Sequence, residues 1–513
     1  MSIDKHARLT PGRAAYVEAE TGEIMTFAEL NDASIRLSRV LRASLEVGDR
    51  VAILLENGAS YFVAAWACRR SGLRFVPINW HLGFEEAAYI TENSDARALI
   101  TTPRLRELAE KISAANPNLE LLISDGEAFG KFAPLDAALA SAPAEPLAFE
   151  AAGAAMCYSS GTTGFPKGIL RKLSGLSFQE EPITTEAMMR DDFGFDETAV
   201  YHHPAPLYHA APLIWSLGAQ AIGCPVIQSR RFDAEETLQV IERFGVTHAQ
   251  FVPTHFVRML QLPEATRAKY GHGSLRMVIH AAAPCPVEVK ERMIGWWGPI
   301  IKEFYSASEG CGVTVVDSHE WLSHRGTVGR SITGPIHILD DAGRDLPAGE
   351  IGHVAFENGH EFEYHKDAAK TASYFTPEGW AKPGDMGWLD GEGYLYLADR
   401  ASHMIISGGV NIYPQEAESV LTLHPAVRDV AVIGVPDPEF GEAVKAVVEP
   451  APGVEAGEAL AAELIALCRS KLAGFKCPRT VDFVEALPRL PSGKLLKREL
   501  RKQYWGDSRK LIA

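Results

Sequence analysis

The sequence predicts an α/β protein with a large N-terminal domain of parallel α/β sheets and a small β-barrel-like part, followed by a small α+β C-terminal domain. Three observations predict this organisation. Helical and strand patterns alternate from the N-terminus onwards, the glycine-rich block LPAGEIGHVAFE interrupts the alternation with short strands, and a new pattern begins after residue 400. Strands that alternate with helices are typical of a parallel sheet covered by helices.

The first elements show the alternation clearly. Thr26 and Glu29 have the spacing of a capping box at the start of a helix whose apolar residues recur every three or four positions, and Gly48 ends it. The buried strand RVAILLE, the helix SYFVAAWACRRSG and the strand LRFVPIN then follow in that order. The strands ARALIT and LELLISD continue the rhythm. This order predicts neighbouring parallel strands.

The pattern restarts near residue 399. The strands DVAVIGVPD and AVKAVVE follow, together with an amphipathic helix over residues 457–472. We therefore predict two domains, residues 1–398 and residues 399–513.

Charge and composition argue against several classes of protein. The formal net charge of the 513 residues is −16, whereas nucleic acids and anionic membranes favour a basic partner surface. The seven cysteines form no CxxC pair, as expected of reduced thiols. The N-terminus lacks the apolar core of a signal peptide, and no apolar run approaches the ~20 residues of a membrane span. We expect a cytoplasmic protein without integral membrane association and leave open whether it is a homodimer.

The stretch YSSGTTGFPKG, residues 158–168, suits a polyphosphate. Its glycines expose backbone N–H groups, its four Ser and Thr hydroxyls are donors, and Lys167 supplies a positive charge. It is not the common GxxxxGK[ST] phosphate loop, because Gly168 follows the lysine. A surface turn would explain the glycines but not the hydroxyl groups packed among them. Phosphate binding is therefore the favoured interpretation.

The stretch EFYSASEG, residues 303–310, places polar side chains at the end of a predicted strand. Tyr305 is suited to stack on a base, Ser308 to hold a phosphate oxygen, and Glu309 to coordinate Mg²⁺. Taken alone, an ordinary strand end followed by a turn explains the same residues.

Three later stretches have similarly open interpretations. Asp385, in a glycine-flanked turn of GDMGWLDGEGYLYLADR, is suited to accept two hydrogen bonds from a ribose diol, and a hairpin with solvated acids is the alternative. SGGVNIYPQEAE, residues 407–418, combines two adjacent glycines with a proline that begins a helix. LPRLPSGKLLKREL, residues 487–500, places Lys494 after a Pro-Ser-Gly turn or, alternatively, in a solvated basic tail.

Together, in this order, these stretches resemble the motifs of the acyl-adenylate-forming (ANL) superfamily, which includes acyl-CoA synthetases, the adenylation domains of peptide synthetases and firefly luciferase. YSSGTTGFPKG resembles the phosphate-loop signature, YSASEG the Tyr-Gly-x-Thr-Glu motif, GDMGWLD the ribose-binding motif and ADR the hinge. GVPDPEFGEAV and PSGKLLKREL resemble the two C-terminal signatures. The resemblance extends from about residue 10 to about residue 505 and implies that the C-terminal domain is mobile.

The resemblance implies a two-step reaction with ATP, Mg²⁺ and CoA. A carboxylic acid first forms a mixed anhydride with AMP and pyrophosphate leaves, and CoA then accepts the acyl group. The residues implied to contact the nucleotide come from the phosphate loop, the adenine segment and the ribose site: Ser159, Ser160, Gly161, Thr162, Thr163, Gly164, Ala281, Ala282, Ala283, Pro284, Tyr305, Asp385 and Arg400. Among these, the resemblance places Tyr305 and residues 281–284 on either side of adenine, and Asp385, with the help of Arg400, on the ribose.

The resemblance also implies roles in the chemistry. Thr162, Thr163 and Lys167 lie along the β- and γ-phosphates, Ser308 contacts the α-phosphate, and Glu309 ligates Mg²⁺. Lys494 bridges the substrate carboxylate and the α-phosphate.

Four more residues have implied roles around the acyl and CoA sites. His209 is a gate between the ATP site and the acyl site. Asp399 is the hinge about which the C-terminal domain turns. Gly408 and Gly409 let the pantetheine of CoA pass close to the backbone.

The sequence departs from the family pattern at several positions. Ser306 replaces the usual glycine of the Tyr-Gly-x-Thr-Glu motif, and Ser308 replaces its threonine but keeps the hydroxyl. Ser402 and His403 replace a charged pair that commonly follows the hinge. AAAP replaces a segment richer in glycine. Family members that use acetate have a tryptophan at the position of Ser306, so its absence predicts a bulky apolar acid: fatty, aromatic or ring-bearing.

Other functions fit less well. An enzyme that loads a carrier protein would share every ATP-binding residue, but no carrier domain follows in this sequence, so loading would occur in trans. A luciferase-like monooxygenase has no support beyond the shared fold. A binding protein without activity is disfavoured, because the phosphate, metal, ribose and C-terminal lysine positions all retain their reactive residues.

Overall fold

The computed structural model describes residues 2–159, 166–357, 361–489 and 495–505. The chain divides into two compact units. Unit 1 consists of Met1–Phe251, Gln261–Ile279 and His360–Ser373, and unit 2 of Val252–Leu260, His280–Gly359 and Tyr374–Ala513. The predicted domain boundary at residue 399 stays a prediction, and the residues on both sides of it belong to unit 2.

The α-helices of the described residues are, in chain order, α1 Ile3–Leu9, α2 Phe27–Arg42, α3 Ala59–Arg69, α4 Phe84–Asn93, α5 Arg106–Ala115, α6 Leu135–Ser141, α7 Glu186–Asp191, α8 Ala210–Ile222, α9 Ala234–Phe244, α10 Pro253–Gln261, α11 Glu264–Arg267, α12 Val287–Trp297, α13 Ser318–Ser323, α14 Ala368–Tyr374, α15 Pro414–Leu421, α16 Glu458–Lys471 and α17 Lys497–Trp505.

The β-strands are β1 Ala14–Glu18, β2 Ile24–Thr26, β3 Arg50–Leu54, β4 Arg74–Pro77, β5 Ala96–Thr101, β6 Leu121–Ser124, β7 Ala133–Pro134, β8 Ala154–Ala155, β9 Tyr158–Ser159, β10 Lys167–Leu170, β11 Tyr201–His203, β12 Val226–Gln228, β13 His248–Phe251, β14 Met277–His280, β15 Ile301–Ser306, β16 Val313–Val316, β17 Arg330–Ser331, β18 Ile336–Leu339, β19 Gly352–Phe356, β20 Glu363–Tyr364, β21 Asp385–Leu389, β22 Leu395–Arg400, β23 Ile405–Ser407, β24 Val410–Ile412, β25 Val427–Asp437, β26 Gly441–Pro450 and β27 Thr480–Phe483.

Unit 1 contains the parallel sheet that the sequence predicts. Its strands lie in the order β7-β6-β5-β3-β4-β8, and every pair in it is parallel. The central strands are buried along almost their whole length, which explains why their sequences are continuous apolar runs. The predicted α/β class is confirmed.

A second group of strands in unit 1 has the order β14-β13-β11-β12-β1-β2. Strand β11 pairs in parallel with β12 and with β13, and β1 pairs in parallel with β12. The small strand group β20-β10-β9 is antiparallel and includes the end of the predicted phosphate loop, because β10 begins at Lys167.

Local signals set the helix ends. The Thr26 side chain accepts a hydrogen bond from the Glu29 backbone N–H, and the Glu29 carboxylate accepts one from the Thr26 N–H, so the predicted capping box at the start of α2 is confirmed. Asp233 caps α9 in a similar way, and Gly245 ends it in the left-handed conformation that glycine adopts without strain.

Unit 2 has antiparallel sheets. The block predicted to be barrel-like forms a four-stranded antiparallel sheet in the order β18-β19-β21-β22. The strands β17-β16-β15 are also antiparallel. In the C-terminal part, β24-β23-β26-β25 are antiparallel, while β27 pairs in parallel with β26. The amphipathic helix predicted over residues 457–472 is α16, and it packs its buried leucines against this last sheet.

Among the described residues, no helix is both long enough and apolar enough to cross a bilayer.

A buried ion pair stabilises the helix layer of unit 1. The Arg70 Nε atom lies 2.8 Å from the Glu150 Oε1 atom, and the two side chains are 1% and 6% exposed. Arg70 also donates to the Asn31 carbonyl and to the Ser34 hydroxyl. Charges this deeply buried are tolerated when they are paired and hydrogen-bonded.

Three buried histidines lie in and near strands β11 and β13. His202 contacts the Ile227 carbonyl through Nδ1, His203 contacts the Ser216 hydroxyl through Nε2, and His248 lies at the start of β13. Burial lowers the pKa of His202 to about 4, of His203 to about 3 and of His248 to about 4. All three rings are therefore neutral in the folded protein at neutral pH.

We expect the protein to lose stability as the pH falls from 7 to 5. In the unfolded chain these histidines take up protons below pH 6.5, but in the folded chain they do so only near pH 3–4, so acid favours unfolding. At pH 5 each such histidine costs about 2 kcal/mol of unfolding free energy. His203→Gln should therefore make the melting temperature less dependent on pH between 7 and 5, as measured by thermal denaturation.

The control is His319→Gln, because His319 is an exposed residue in unit 2. It should leave the pH dependence unchanged. An identical pH dependence in His203→Gln and in the wild type would contradict the assignment.

Candidate active site

Three residues predicted to bind the nucleotide meet in unit 2. Tyr305 is near the end of β15, Asp385 begins β21, and Arg400 ends β22. The Tyr305 hydroxyl donates to Asp385 Oδ2 at 2.6 Å, and Arg400 Nε lies 2.8 Å from Asp385 Oδ1. Asp385 and Arg400 are direct partners in the antiparallel register of β21 and β22, which explains why their side chains meet.

The sequence placed Asp385 in a glycine-flanked turn, whereas the structure places it at the first position of a strand. Gly384 precedes it with a φ of +87°, a conformation that favours glycine. The turn is therefore one residue earlier, and the strand register rather than the turn fixes the direction of the carboxylate.

Burial dominates the electrostatics of this cluster. It raises the pKa of the Asp385 carboxyl, which is 6% exposed, although the nearby Arg400 charge acts in the opposite direction. Burial likewise raises the pKa of the Tyr305 hydroxyl, with the Asp385 charge adding to the effect, so this hydroxyl remains a donor. For Arg400, burial alone would lower the pKa, but Asp385, Tyr305 and Glu309 outweigh it and raise it.

The cluster leaves room for further donors on Asp385. An ionised carboxylate offers about four acceptor positions; the Tyr305 hydroxyl takes one on Oδ2, and Arg400 Nε faces Oδ1. The acceptor capacity that is left is enough for the two adjacent hydroxyl groups of a ribose. The donor and acceptor chemistry thus fits the diol-binding role that the resemblance implies.

The predicted adenine segment shows backbone strain. Ala282 has a φ of +73°, in the left-handed region where a side chain costs about 1–2 kcal/mol. Such strain is often found at functional sites. The replacement of glycine by alanine, a mild departure in the sequence, therefore has a structural consequence.

The turn after β15 holds the residues predicted to contact phosphate and metal. Ser308 and Glu309 lie in a turn closed by a hydrogen bond from the Gly310 N–H to the Ala307 carbonyl. Glu309 is 9% exposed. Among the described residues, no group of three or more His, Cys, Asp or Glu side chains is arranged to hold a metal ion. Because Mg²⁺ is usually bound by one or two carboxylates together with substrate phosphates, a single carboxylate at this turn fits that ion.

The residues that follow this turn are tightly packed. The Ser306 hydroxyl donates to the Gly312 carbonyl at 2.7 Å and so folds the chain back on itself. A Cβ atom on Gly312 would lie 2.1 Å from the Phe356 ring, which leaves no space for a larger residue. The Tyr374 hydroxyl contacts the Cys311 sulfur at 3.2 Å.

Unit 1 contains the lysine of the predicted phosphate loop. The Lys167 Nζ atom lies 2.6 Å from Asp367 Oδ2, and this contact lowers the pKa of Asp367. Ser159 pairs with Lys167 across the β9–β10 hairpin. The sequence did not predict Asp367 as a partner, because the two residues are 200 positions apart and no local pattern joins them.

The five remaining residues of the predicted loop and the predicted catalytic lysine lie outside the described residues: Ser160, Gly161, Thr162, Thr163, Gly164 and Lys494. Their roles stay predictions.

The predicted gate residue, His209, follows a loop whose backbone is hydrogen-bonded to the side chain of Asn57. His209 is the N-cap residue of α8. The Asn57 side-chain amide donates to the carbonyls of Ala205 and Ser229, and its oxygen accepts from the Leu207 N–H. Asn57 therefore satisfies three backbone groups around the loop that leads to His209. Sequence reasoning missed this residue, since its partners are about 150 positions away.

The predicted hinge residue, Asp399, is surrounded by donors within unit 2. It accepts from its neighbour Arg400 N–H at 2.6 Å and from Gln415 N–H at 3.2 Å, and His403 Nδ1 lies 3.1 Å away. Burial alone would raise the pKa of Asp399, but His403 and Lys497 lower it. His403, which departs from the family pattern, thus contacts the hinge candidate directly.

Gly408 and Gly409 form the turn between β23 and β24. Their φ angles are +58° and +80°, which is the conformation of a tight hairpin turn with two left-handed residues. Pro414 then occupies the first turn of α15, as the sequence predicted.

Comparison with known proteins supports the resemblance. Residues 3–360 match the family described as AMP-binding enzyme, and residues 416–494 match the AMP-binding enzyme C-terminal domain. The chain is 34% identical over 504 residues to a feruloyl-CoA synthase from Amycolatopsis sp, with 98% of each chain covered. It is 30% identical over 500 residues to a fatty acid–[acyl-carrier-protein] ligase from Streptomyces coeruleorubidus, with 96% of this chain and 94% of that protein covered.

A solved structure shows the same architecture. The fold is similar to that of an anthranilate CoA ligase in complex with anthranoyl-AMP, with a TM-score of 0.84 and 25% sequence identity over 98% of this chain and 96% of that chain. The predicted enzyme class, an AMP-forming acid–thiol ligase, is confirmed by the relatives. The chain belongs to the family of AMP-binding enzymes, as its motifs predicted.

Proposed function

We propose that the protein is an ATP-dependent acyl-CoA synthetase. It joins a bulky apolar carboxylic acid to AMP, releases pyrophosphate, and then transfers the acyl group to the thiol of CoA. The observation that supports this most directly is the buried Asp385 carboxylate, which keeps acceptor capacity beside Tyr305 and Arg400. Similarity to CoA ligases over nearly the whole chain supports the same reaction.

In the proposed first step, the acid attacks the α-phosphorus of ATP. A carboxylate and a polyphosphate repel each other, so the enzyme has to neutralise charge and hold the two groups in line. Thr162, Thr163 and Lys167 hold the β- and γ-phosphates, and Ser308 holds the α-phosphate. Lys494 bridges the carboxylate and the α-phosphate.

The ion pair between Lys167 and Asp367 is proposed to position the lysine for this step. Asp367 holds the Lys167 ammonium group at 2.6 Å. Because an ammonium has three protons to donate, Lys167 can keep this contact and still donate to phosphate oxygens. Asp367 is therefore proposed to position the lysine.

Glu309 is the proposed protein ligand of Mg²⁺, together with phosphate oxygens of ATP. A bound Mg²⁺ would offset the negative charge of the phosphates.

In the proposed second step, the C-terminal part turns about Asp399 and the CoA thiol attacks the acyl carbonyl, with AMP as the leaving group. The left-handed turn at Gly408 and Gly409 lacks Cβ atoms, which allows the pantetheine chain to approach the backbone. His209 is proposed to separate the ATP site from the acyl site.

A second candidate differs only in the acceptor. The similarity to a fatty acid–[acyl-carrier-protein] ligase favours transfer to the thiol of a separate carrier protein. This reaction would use the same ATP site, so the acceptor has to be tested directly.

The proposed substrate is a bulky apolar acid. Ser306 is a small residue at the position where acetate-specific members have tryptophan, and its hydroxyl is occupied by the Gly312 carbonyl. Relatives named for ferulate and anthranilate support an aromatic acid as one option within this class, and the similarity to a fatty-acid ligase supports the fatty-acid option.

With a suitable acid, we expect ATP to be converted to AMP and pyrophosphate, and CoA to acyl-CoA.

Asp385→Asn should raise the KM for ATP roughly ten- to hundredfold, because an amide loses acceptor capacity and a hydrogen bond to a charged group contributes about 1.5–3 kcal/mol. The measurement is pyrophosphate release over a panel of acids, with thioester formation followed separately.

The matched control is Asp390→Asn, an acid in the turn of the same hairpin that accepts backbone hydrogen bonds. It should leave the KM for ATP unchanged. Release of ADP and phosphate would exclude the proposed reaction, and acyl-AMP formation without a CoA thioester at millimolar CoA would favour the carrier-protein candidate.

Lys494→Ala should slow adenylation about a hundred- to thousandfold but leave thioester formation from supplied acyl-AMP nearly unchanged. A cation that stabilises charge developing as carboxylate and phosphate approach typically contributes roughly 2.7–4 kcal/mol to that step alone. The two half-reactions are measured separately. Lys502→Ala is the control, since Lys502 is an exposed lysine of α17. Equal losses in both half-reactions would contradict a lysine that acts in one step only.

Acetate should be a poor substrate compared with acids of about six or more carbons or with a ring. Each methylene in an apolar pocket contributes about 1–3 kcal/mol to discrimination, so the lost contacts should lower kcat/KM for acetate by orders of magnitude. The test compares kcat/KM for acetate, octanoate and benzoate. A higher value for acetate than for both larger acids would refute the proposed pocket.

A further inference from the structure

We infer that a buried cluster formed by His280, Lys290 and Glu303 positions the two chain segments that flank the adenine of ATP. These are positioning residues rather than catalytic ones, because they act through the segments beside them. The inference rests on the proposed function, since the adenine site, which the resemblance places between Tyr305 and residues 281–284, exists only if the protein binds ATP.

The buried cluster is held together by one carboxylate oxygen. Glu303 Oε2 lies 2.6 Å from Lys290 Nζ and 3.3 Å from His280 Nε2. The side chains of His280 and Lys290 are fully buried, and that of Glu303 is 6% exposed. This oxygen of strand β15 thus lies within 3.3 Å of side chains from two other elements, the end of β14 and helix α12.

Each end of the buried cluster is next to a predicted adenine contact. His280 directly precedes Ala281, the first residue of the adenine segment. Glu303 is two positions before Tyr305 on β15, and alternate residues of a strand project from the same face. The cluster therefore joins the segment proposed to lie on one side of the base to the strand that holds the aromatic ring proposed for the other side.

Water is kept away from the buried cluster by aromatic rings. The Lys290 ammonium group lies 4.8 Å from the centre of the Trp321 ring, and the His280 ring lies 5.5 Å from the Phe256 ring in an edge-to-face arrangement. Within the part of the chain that the structure describes, neither nitrogen of His280 makes a hydrogen bond of regular geometry.

The charges of the buried cluster balance. Burial alone would raise the pKa of Glu303, but His280 and Lys290 hold it at about 2, so the carboxylate is ionised at neutral pH. Burial lowers the pKa of His280, and the Glu303 charge acts in the opposite direction. The negative charge of Glu303 is paired with the Lys290 ammonium group.

Stability alone does not explain such an arrangement. Buried ion pairs can often be replaced by apolar residues of similar volume with little or no loss of stability, whereas removing one partner is strongly destabilising. What the charged cluster adds is a defined position for the Glu303 carboxylate, which accepts a hydrogen bond from Lys290 and lies beside His280. That geometry is what an adenine site needs, since displaced binding groups lose affinity steeply.

The test compares three variants of the full-length protein. Glu303→Gln breaks the pair, and the double variant Lys290→Met with Glu303→Leu replaces it by apolar residues. The matched control is Glu150→Gln, which breaks the buried Arg70–Glu150 pair of unit 1. For each protein we would measure the melting temperature, the direct binding of ATP by calorimetry, and the KM values for ATP, acid and CoA.

We expect Glu303→Gln to weaken ATP binding roughly ten- to hundredfold, by analogy with the loss seen when a residue that orients a metal ligand is replaced. The KM for acid should change little. The double variant should regain the melting temperature of the wild type but keep the weakened ATP binding, and Glu150→Gln should lower the melting temperature without changing ATP binding.

Two results would overturn the inference. One is ATP binding that recovers together with the melting temperature in the double variant, and the other is the same loss of ATP binding in Glu150→Gln. Wild-type protein that binds no ATP would instead refute the proposed function and, with it, this inference. The wild-type measurement therefore separates the two failures.

Discussion

The buried carboxylate of Asp385 needs two donors from other strands, and the arrangement of unit 2 depends on keeping these three groups together. The Tyr305 hydroxyl donates to one of its oxygens, and Arg400 Nε forms an ion pair with the other. A shift of one residue in the register of β21 would turn the carboxylate to the other face of the sheet and leave both partners without it. A carboxylate buried without partners would take up a proton, and a neutral acid would be a poorer acceptor for a diol. The groups that stabilise the buried Asp385 carboxylate therefore also favour its ionised form, which is the better hydrogen-bond acceptor for the proposed ligand.

Elements whose signals are local could be predicted from the sequence, and contacts between distant residues could not. The capping box of α2, the parallel strands of unit 1 and the proline that begins α15 depend on residues a few positions apart or on regular periodicity. The partners of Lys167 and of Asn57 are about 150–200 positions away, so only the folded chain shows them. For the site, the motifs predicted individual residues whose roles stay predictions, and the structure adds that the register of β21 and β22 sets the direction of the Asp385 carboxylate.

The departures from the family pattern have physical consequences that the sequence did not reveal. An alanine at position 282 adopts a left-handed conformation that glycine would adopt without strain. His403 replaces a residue of a charged pair and contacts the Asp399 carboxylate, so the hinge candidate keeps a polar partner of a different kind. Lys497 and Gln415 contribute further contacts to the same carboxylate. The substitution thus changes the chemistry around the hinge without leaving its buried charge unpaired.

Nucleotide chemistry and acid recognition place different demands on the sequence, so the motifs predict individual residues for the proposed ATP site but only a broad class of acid. The charges of ATP require particular donors, acceptors and counter-charges at fixed distances, and such residues are recognisable one by one. An apolar acid requires volume and shape, which many combinations of residues provide, and one methylene more or less changes discrimination only modestly. At Gly312, the Phe356 ring occupies the space of a Cβ atom, so the packing of two residues 44 positions apart shapes the segment that follows β15. We therefore expect specificity for the acid to depend on packing between distant segments, whereas the proposed ATP site depends on individual residues.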